Sequence, residues 1–342
     1  MKLPVNDANS REFLKEEMMR IDQRRIFRLC FLGFCALLIV GLNILSVSCS
    51  PQKTIEKTTR TVTQTTQKIK HTIRFSDDDL QRLAAVVGFE NRSLYRAKDF
   101  AQLFRKGIPE YLNNECDDVT VPDLGASENV ERLKGLPRLK SGRVDNFTLA
   151  TIGRQLGLNA VVTGSLDDIG LITETQGLIL KDTLHSIQIL VSIHVYDTET
   201  GSKILDESFN RKVEIEELDY DLMRSEEKLI LPDLNETISD LLAEMGERIC
   251  WAIEEQPWNG FIASFAGDKV VLSAGDMSGL KPGDELEVFD NTRILKGRDG
   301  QQFFIHGKKI GEIRIVAVES DSSEAVVVSD NGIKTGSSVR VK

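Results

Sequence analysis

The sequence predicts an exported α/β sheet with helices, followed by a small all-β barrel, behind an N-terminal membrane helix or signal. Three observations carry this. Segments with strand and helix spacing alternate between residues 80 and 255. From residue 258 helical spacing stops, and short β-rich runs are punctuated by glycine turns. Residues 29–48 carry no charged side chain, a length that crosses a bilayer as a helix of roughly 20 residues.

Arg24, Arg25 and Arg28 stand directly before the apolar run, so residues 1–28 are expected on the cytoplasmic side and residues 50 onward outside it. Residues 29–49 end at Cys49. The run Leu45-Ser46-Val47-Ser48-Cys49 resembles a bacterial lipobox, which implies cleavage and lipidation at Cys49. Ser46 occupies the place where leucine is usual, and the apolar run exceeds the roughly 7–15 residues of a secretory signal. An uncleaved signal anchor therefore stands beside the lipoprotein reading. Gln23-Arg24-Arg25-Ile26-Phe27 resembles a twin-arginine signal but lacks the preceding serine or threonine, and paired topology charges account for it.

Residues 50–79 are threonine-rich and almost free of large apolar side chains, as in a flexible tether. Residues 1–28 carry +2 and residues 50–75 carry +5, so a total of −10 leaves −17 on residues 76–342. That charge excludes a nucleic-acid partner, which requires a basic face. The basic tether can instead lie against anionic lipid.

In the α/β part, residues 80–255, Leu83 to Val87 form an apolar run closed by Gly88, read as a buried strand. Leu103, Phe104, Ile108 and Leu112 lie at helical spacing, with Pro109 as a kink. A brief strand near Val119 precedes an irregular stretch to Asn146. A helix over FTLATIGRQLGL ends at Gly157 and feeds a strand over AVVTGSLDDI, which is read as ending at Asp167-Asp168. The alternation on both sides of Asp197-Thr198-Glu199-Thr200-Gly201 is that of a β-hairpin. Ile238, Leu241, Leu242, Met245 and Ile249 mark an amphipathic helix over 234–255. Residues 258–342 read as the barrel, with a domain boundary at Glu255-Gln256-Pro257 and the two parts expected to fold separately. Asp77-Asp78-Asp79 reads as a solvated acidic cap.

No phosphate-binding loop, zinc-protease helix or nucleophile elbow is present, and His71, His185, His194 and His306 are scattered. The reading therefore names no catalytic residue, no metal ligand and no cofactor; Glu90, Asn91 and Arg92 form the densest polar group. Two cysteines remain beyond Cys49, too few for a zinc site. Cys116 and Cys250 either pair as a disulfide in an oxidising compartment or remain buried thiols.

"GFENRS" (Gly88 to Ser93), then "IGRQLGLNAVVTGSL", then "IHVYDTETGSKI" occur in that order. Together they resemble the periplasmic domain shared by curli assembly proteins, the TolB N-terminal domain and the middle domain of flagellar assembly protein T. Gly279-Leu280-Lys281-Pro282-Gly283-Asp284 and its surroundings resemble the C-terminal domain of flagellar assembly protein T. The resemblance implies a non-enzymatic, membrane-anchored protein of the bacterial envelope, with its folded parts in the periplasm. Such a protein assembles a larger structure through contacts with the membrane and envelope assembly proteins, and homo-oligomerisation stays open. A binding module for peptidoglycan or a secreted subunit is the alternative. A curli-type pore is not expected, because residues 169–183 read as too short for membrane-inserted hairpins of about 9–11 residues per strand.

Overall fold

The computed structural model describes residues 77–93, 98–177, 182–226, 232–267 and 269–342. The apolar segment, Cys49, the tether up to residue 76 and His71 lie outside them. The described residues form one compact unit.

Its first half is a mixed sheet. Strand β1 (Arg82–Val86) is flanked by β3 (Val119–Thr120) and β4 (Ala160–Gln176), both parallel to it, and β2 (Glu90–Asn91) extends the parallel edge of β4. Strands β5 (Asp182–Asp197) and β6 (Lys203–Ile215) continue antiparallel, giving the order β3-β1-β4-β5-β6. After Arg82, β1 is apolar because both its faces are covered. Ala84 faces helices α1 (Lys98–Glu115) and α5 (Pro232–Glu254), while Leu83 and Ala85 face α2 (Glu128–Lys134) and α3 (Asn146–Gln155). On β5 only one face is apolar along most of its length. Ile187, Ile189, Val191, Ile193 and Val195 enter the α5 side of the core, and Gln188, Ser192 and His194 alternate with them on the other face.

Helices α1 and α5 run side by side. A Cβ on Gly107 would lie 2.5 Å from Leu242 and one on Gly246 2.1 Å from the Tyr111 ring, so two glycines set the approach. Cys116, just past α1, and Cys250 in α5 are joined as a disulfide, with Cα atoms 5.7 Å apart. α1 runs through Pro109 as one helix.

Three departures from the sequence reading have local causes. The stretch read as irregular contains α2, a seven-residue helix capped by the Ser127 hydroxyl, which accepts from the Val130 N–H at 3.2 Å. The segment after β6 contains α4 (Glu217–Glu226), whose Tyr220 ring stacks on His185 at 4.0 Å. Asp167-Asp168 does not end the strand: it forms a bulge between Leu166 and Asp168, after which pairing with β5 continues to Gln176–Asp182. Residues 169–176 are thus the far end of a 17-residue strand, and the expectation that this stretch is too short for a long hairpin is corrected. Its apolar side, with Ile169 and the facing Ile187 and Ile189, packs into the helix-covered core.

The second half is a closed antiparallel barrel of β7 (Gly260–Ala266), β8 (Lys269–Leu272), β9 (Glu285–Phe289), β12 (Lys309–Val318), β13 (Ser323–Asp330) and β14 (Ser338–Val341), in the order β12-β13-β8-β7-β14-β9. A two-stranded ribbon, β10 (Ile294–Lys296) with β11 (Gln302–Phe304), projects from it. The barrel core of Trp258, Leu272, Leu286, Ile313 and Val339 also takes in Leu80, from the segment before β1. Asp77 accepts hydrogen bonds from the Trp258 N–H at 3.0 Å and from Arg82 at 2.7 Å. The acidic run read as a solvated cap is therefore a tie between the halves.

Candidate functional site

The Asp197–Gly201 turn between β5 and β6 sits where sheet meets barrel, and a cleft opens on either side of it. Asp197 builds the turn: its carboxylate accepts the Glu199 N–H at 3.0 Å and the Thr200 N–H at 2.8 Å. Burial raises its pKa, against the hydrogen bonds from Thr200 and Glu199. The turn then aims Glu199 into the barrel.

There Glu199 is 3% exposed. Its carboxylate accepts from Asn291 Nδ2 at 2.7 Å, Ser338 Oγ at 3.1 Å and Arg340 at 2.6 Å, with His306 Nδ1 at 3.5 Å. Burial alone would raise its pKa, but the hydrogen bonds and charges of His306 and Arg340 outweigh it and bring the value to about 2. The His306 pKa is raised, chiefly by its hydrogen bond to Glu199.

Arg154, near the end of α3, approaches the same turn from the sheet side. Its guanidinium donates to the carbonyls of Thr198 at 3.0 Å, Asn291 at 3.4 Å and Glu199, and lies over the Phe304 ring at 3.5 Å. Burial lowers its pKa to about 10, so it remains a cation. Close by, the Arg154 carbonyl accepts from Ser273 Oγ at 2.7 Å, and Asn159 donates to the Asn259 carbonyl at 2.8 Å. Asn146 Nδ2 donates to the Gln302 carbonyl at 2.7 Å, and the Phe147 and Phe304 rings stack at 4.7 Å. Gly157 makes this approach possible: its φ is +68°, and a Cβ there would lie 1.8 Å from the Ser273 carbonyl oxygen.

On the barrel side of the turn, a cleft of about 640 Å³ is lined by Glu199, Pro257, Leu295, Phe303, His306 and Arg340 among others. On the sheet side, a cleft of about 450 Å³ is lined by Glu90, Arg92, Arg138, Arg143, His194, Tyr196 and Lys203 among others. Glu90 accepts from Arg92 at 2.9 Å and from Arg138. Burial would raise its pKa, but the two arginines hold it below the usual carboxylate value. His194 contacts Asp206 at 2.7 Å, and Lys203 reaches Asp206 at 3.0 Å. The His194 pKa is lowered, by burial first and by the Lys203 charge second, against the pull of Asp206. Arg143 pairs with Asp299 at 2.9 Å.

Of the residues singled out from sequence, Glu90 and Arg92 do meet in a cleft, joined by Arg138, which no local signal marked. Asp167 is nearby, accepting from Ser165 Oγ at 2.6 Å and from Ser192. The histidines stay apart: His185 stacks on Tyr220, while His194 and His306 belong to different clefts. Among the described residues no group of three or more side chains is arranged to hold a metal. Sequence reasoning missed Glu199 and Arg154, one read as part of a hairpin turn and the other passed over within a helix.

No family model matches this chain. No curated protein matches it either. Among solved structures, the chain is similar to a hypothetical protein from Chlamydia trachomatis at 17% identity, covering 52% of this chain and 99% of that one, with a TM-score of 0.35. It is similar to a lipoprotein from Neisseria meningitidis at 15% identity, covering 48% and 99%, with a TM-score of 0.29. A third is TolB from Acinetobacter baumannii, at 11% identity over 71% of this chain and 57% of that one, with a TM-score of 0.25.

Proposed function

We propose that this chain is a non-enzymatic protein of the bacterial cell envelope, anchored through residues 29–49, whose folded part works in the periplasm by protein–protein contact in a larger assembly. The observation that carries the reading is the state of the charges in both clefts. Every basic side chain lining them is already matched by a carboxylate of the same chain: Arg340 and His306 by Glu199, Arg92 and Arg138 by Glu90, Arg143 by Asp299, Lys203 and His194 by Asp206. Such pairs hold geometry; a general base or nucleophile requires a group poised to change its protonation or bonding. The uncharged segment and the tether that follows fit an anchored body standing off a membrane, and lipidation at Cys49 belongs to this proposal.

A second reading, a binding module for peptidoglycan or a secreted subunit, is favoured by the 450 Å³ cleft, where guanidinium groups surround Tyr196. Two assays on the full chain, cross-linking in intact cells and co-sedimentation from detergent, separate the readings. The scaffold reading expects protein cross-links in intact cells that survive Arg138→Ala, and no co-sedimentation with purified sacculi. Co-sedimentation abolished by Arg138→Ala establishes the binding module instead. Turnover of a small molecule, lost on replacing one cleft side chain, would overturn both. Deleting residues 258–342 is a poor test, because it uncovers Leu80 and leaves Arg154 without the ring beneath it.

A further inference from the structure

Strand β6 is the outermost strand of its sheet: among the described residues it pairs with β5 on one side and with no strand on the other. Thirteen residues of backbone edge, Lys203–Ile215, are presented there. Exposed edges are usually protected from pairing by charges, and this one carries six charged side chains. Their order has a second property. About Phe209, the middle residue of the strand, the sequence Asp206-Glu207-Ser208-Phe209-Asn210-Arg211-Lys212 is a charge-complementary palindrome.

We propose that β6 is a self-docking edge that pairs antiparallel with β6 of a second copy of this chain about a two-fold axis at Phe209, joining two sheets into one. In that register Asp206 faces Lys212 of the second copy, Glu207 faces Arg211, Ser208 faces Asn210 and Leu205 faces Val213. No like charges oppose each other. Opposite charges directly across an antiparallel pair stabilise it, and like charges destabilise it.

A two-fold axis perpendicular to the sheet keeps the faces of both copies aligned, so allowed registers differ by two residues. Sliding one step in one direction sets Asp206 against Glu214. Sliding one step in the other sets Leu205 against Arg211 and Asp206 against Asn210. The full-overlap register is thus preferred to both of its neighbours.

The intrachain contacts of these side chains extend the pattern across the joint. On the α5 face, Arg248 pairs with Glu207 and Glu244 with Arg211. Pairing would therefore produce a row of alternating sign: Arg248, Glu207, Arg211 of the second copy, Glu244 of the second copy. On the opposite face Lys203 pairs with Asp206 at 3.0 Å and Lys212 with Glu174 at 2.5 Å, and the joined row alternates in the same way. Asp206 and Lys212 are accessible, with side chains 63% and 39% exposed. This inference extends the scaffold reading without resting on it, since it requires only the edge and its charges.

The test uses the full chain in a mild detergent. Asp206→Lys with Glu207→Lys makes residues 206–212 uniformly basic, and Arg211→Glu with Lys212→Glu makes them uniformly acidic. Sedimentation is expected to show a dimer for the unaltered chain, a monomer for each variant alone and a one-to-one dimer on mixing the two. Ser208→Cys with Asn210→Cys provides a measurement that does not depend on the charge variants folding: oxidation is expected to give a covalent dimer whose peptide map joins 208 to 210. A monomeric unaltered chain overturns the proposal. So does a pair of folded charge variants that both remain dimeric, or a cysteine variant that gives no 208–210 link.

Discussion

Glu199 and Glu90 are both carboxylates held by two basic side chains, and they lie on opposite sides of one turn. Glu199 is 3% exposed, and its partners come from the far half of the chain; Glu90 has a side chain 37% exposed between Arg92 and Arg138 of its own half. The same chemistry does different work in the two places. Where water is excluded, removing one partner strands a charge, so the group acts as a bond between the halves. At the surface, solvent screens the pair, so the group can exchange its partner for a ligand or another protein at little cost.

The sharpest way to break this comparison is to remove both carboxylates in turn. Glu199→Ala strands Arg340 and His306 and should lower stability by about 3–5 kcal/mol, whereas Glu90→Ala should cost under about 1 kcal/mol. Urea denaturation of the two variants measures the difference. The pH dependence sharpens it further. Glu199 has a folded pKa of about 2, below its unfolded value, so its contribution is present above roughly pH 4.5 and is lost as pH falls toward 2. That limb amounts to on the order of 3 kcal/mol and should vanish in Glu199→Gln. His306 has the opposite sign. Its raised pKa gives stability present below about pH 6.5 that is lost as pH rises through the folded value, a small effect because its side chain is 58% exposed.

Two glycines give a second contrast. Gly157 and Gly142 both have positive φ, but a Cβ on Gly157 strikes the Ser273 carbonyl, while one on Gly142 meets nothing within 4 Å. Gly157→Ala should cost about 3 kcal/mol, combining backbone strain with overpacking at the junction. Gly142→Ala should show the strain alone, about 1–2 kcal/mol. A thermal-shift series on the two variants checks this.

The remaining link between distant parts of the sheet half is covalent. Cys116 and Cys250 are 134 residues apart in sequence, so Cys116→Ser with Cys250→Ser should lower stability by about 2–5 kcal/mol. It should leave the barrel's packing unaffected. Equal stability before and after reduction would remove the disulfide from the account.

The sequence made β1, the start of β4, the Asp197 hairpin and the glycine-punctuated barrel legible, because each is set by neighbours a few residues away. The seven-residue α2 was not legible, being too short to show a helical period. The bulge at Asp167-Asp168 was misread for a related reason: two acidic residues look like a strand end unless the facing strand is known to continue. Asp77 and Glu199 show the larger limit. Whether an acid is solvated or buried depends on Trp258 in one case and on Asn291, Ser338 and Arg340 in the other, more than ninety residues away in sequence. The same contacts bear on the expectation that the halves fold separately. Leu80 in the barrel core and Arg154 and Glu199 in the junction argue for a single cooperative body, with the boundary at Glu255–Pro257 marking a change of architecture.

Native-state hydrogen exchange tests that claim most directly, by comparing the slowest amides of β5 in the sheet with those of β12 in the barrel. A single body predicts that both sets open with the same free energy and that Glu199→Gln lowers both together. Barrel amides that open at a different free energy, unchanged by Glu199→Gln, would contradict it.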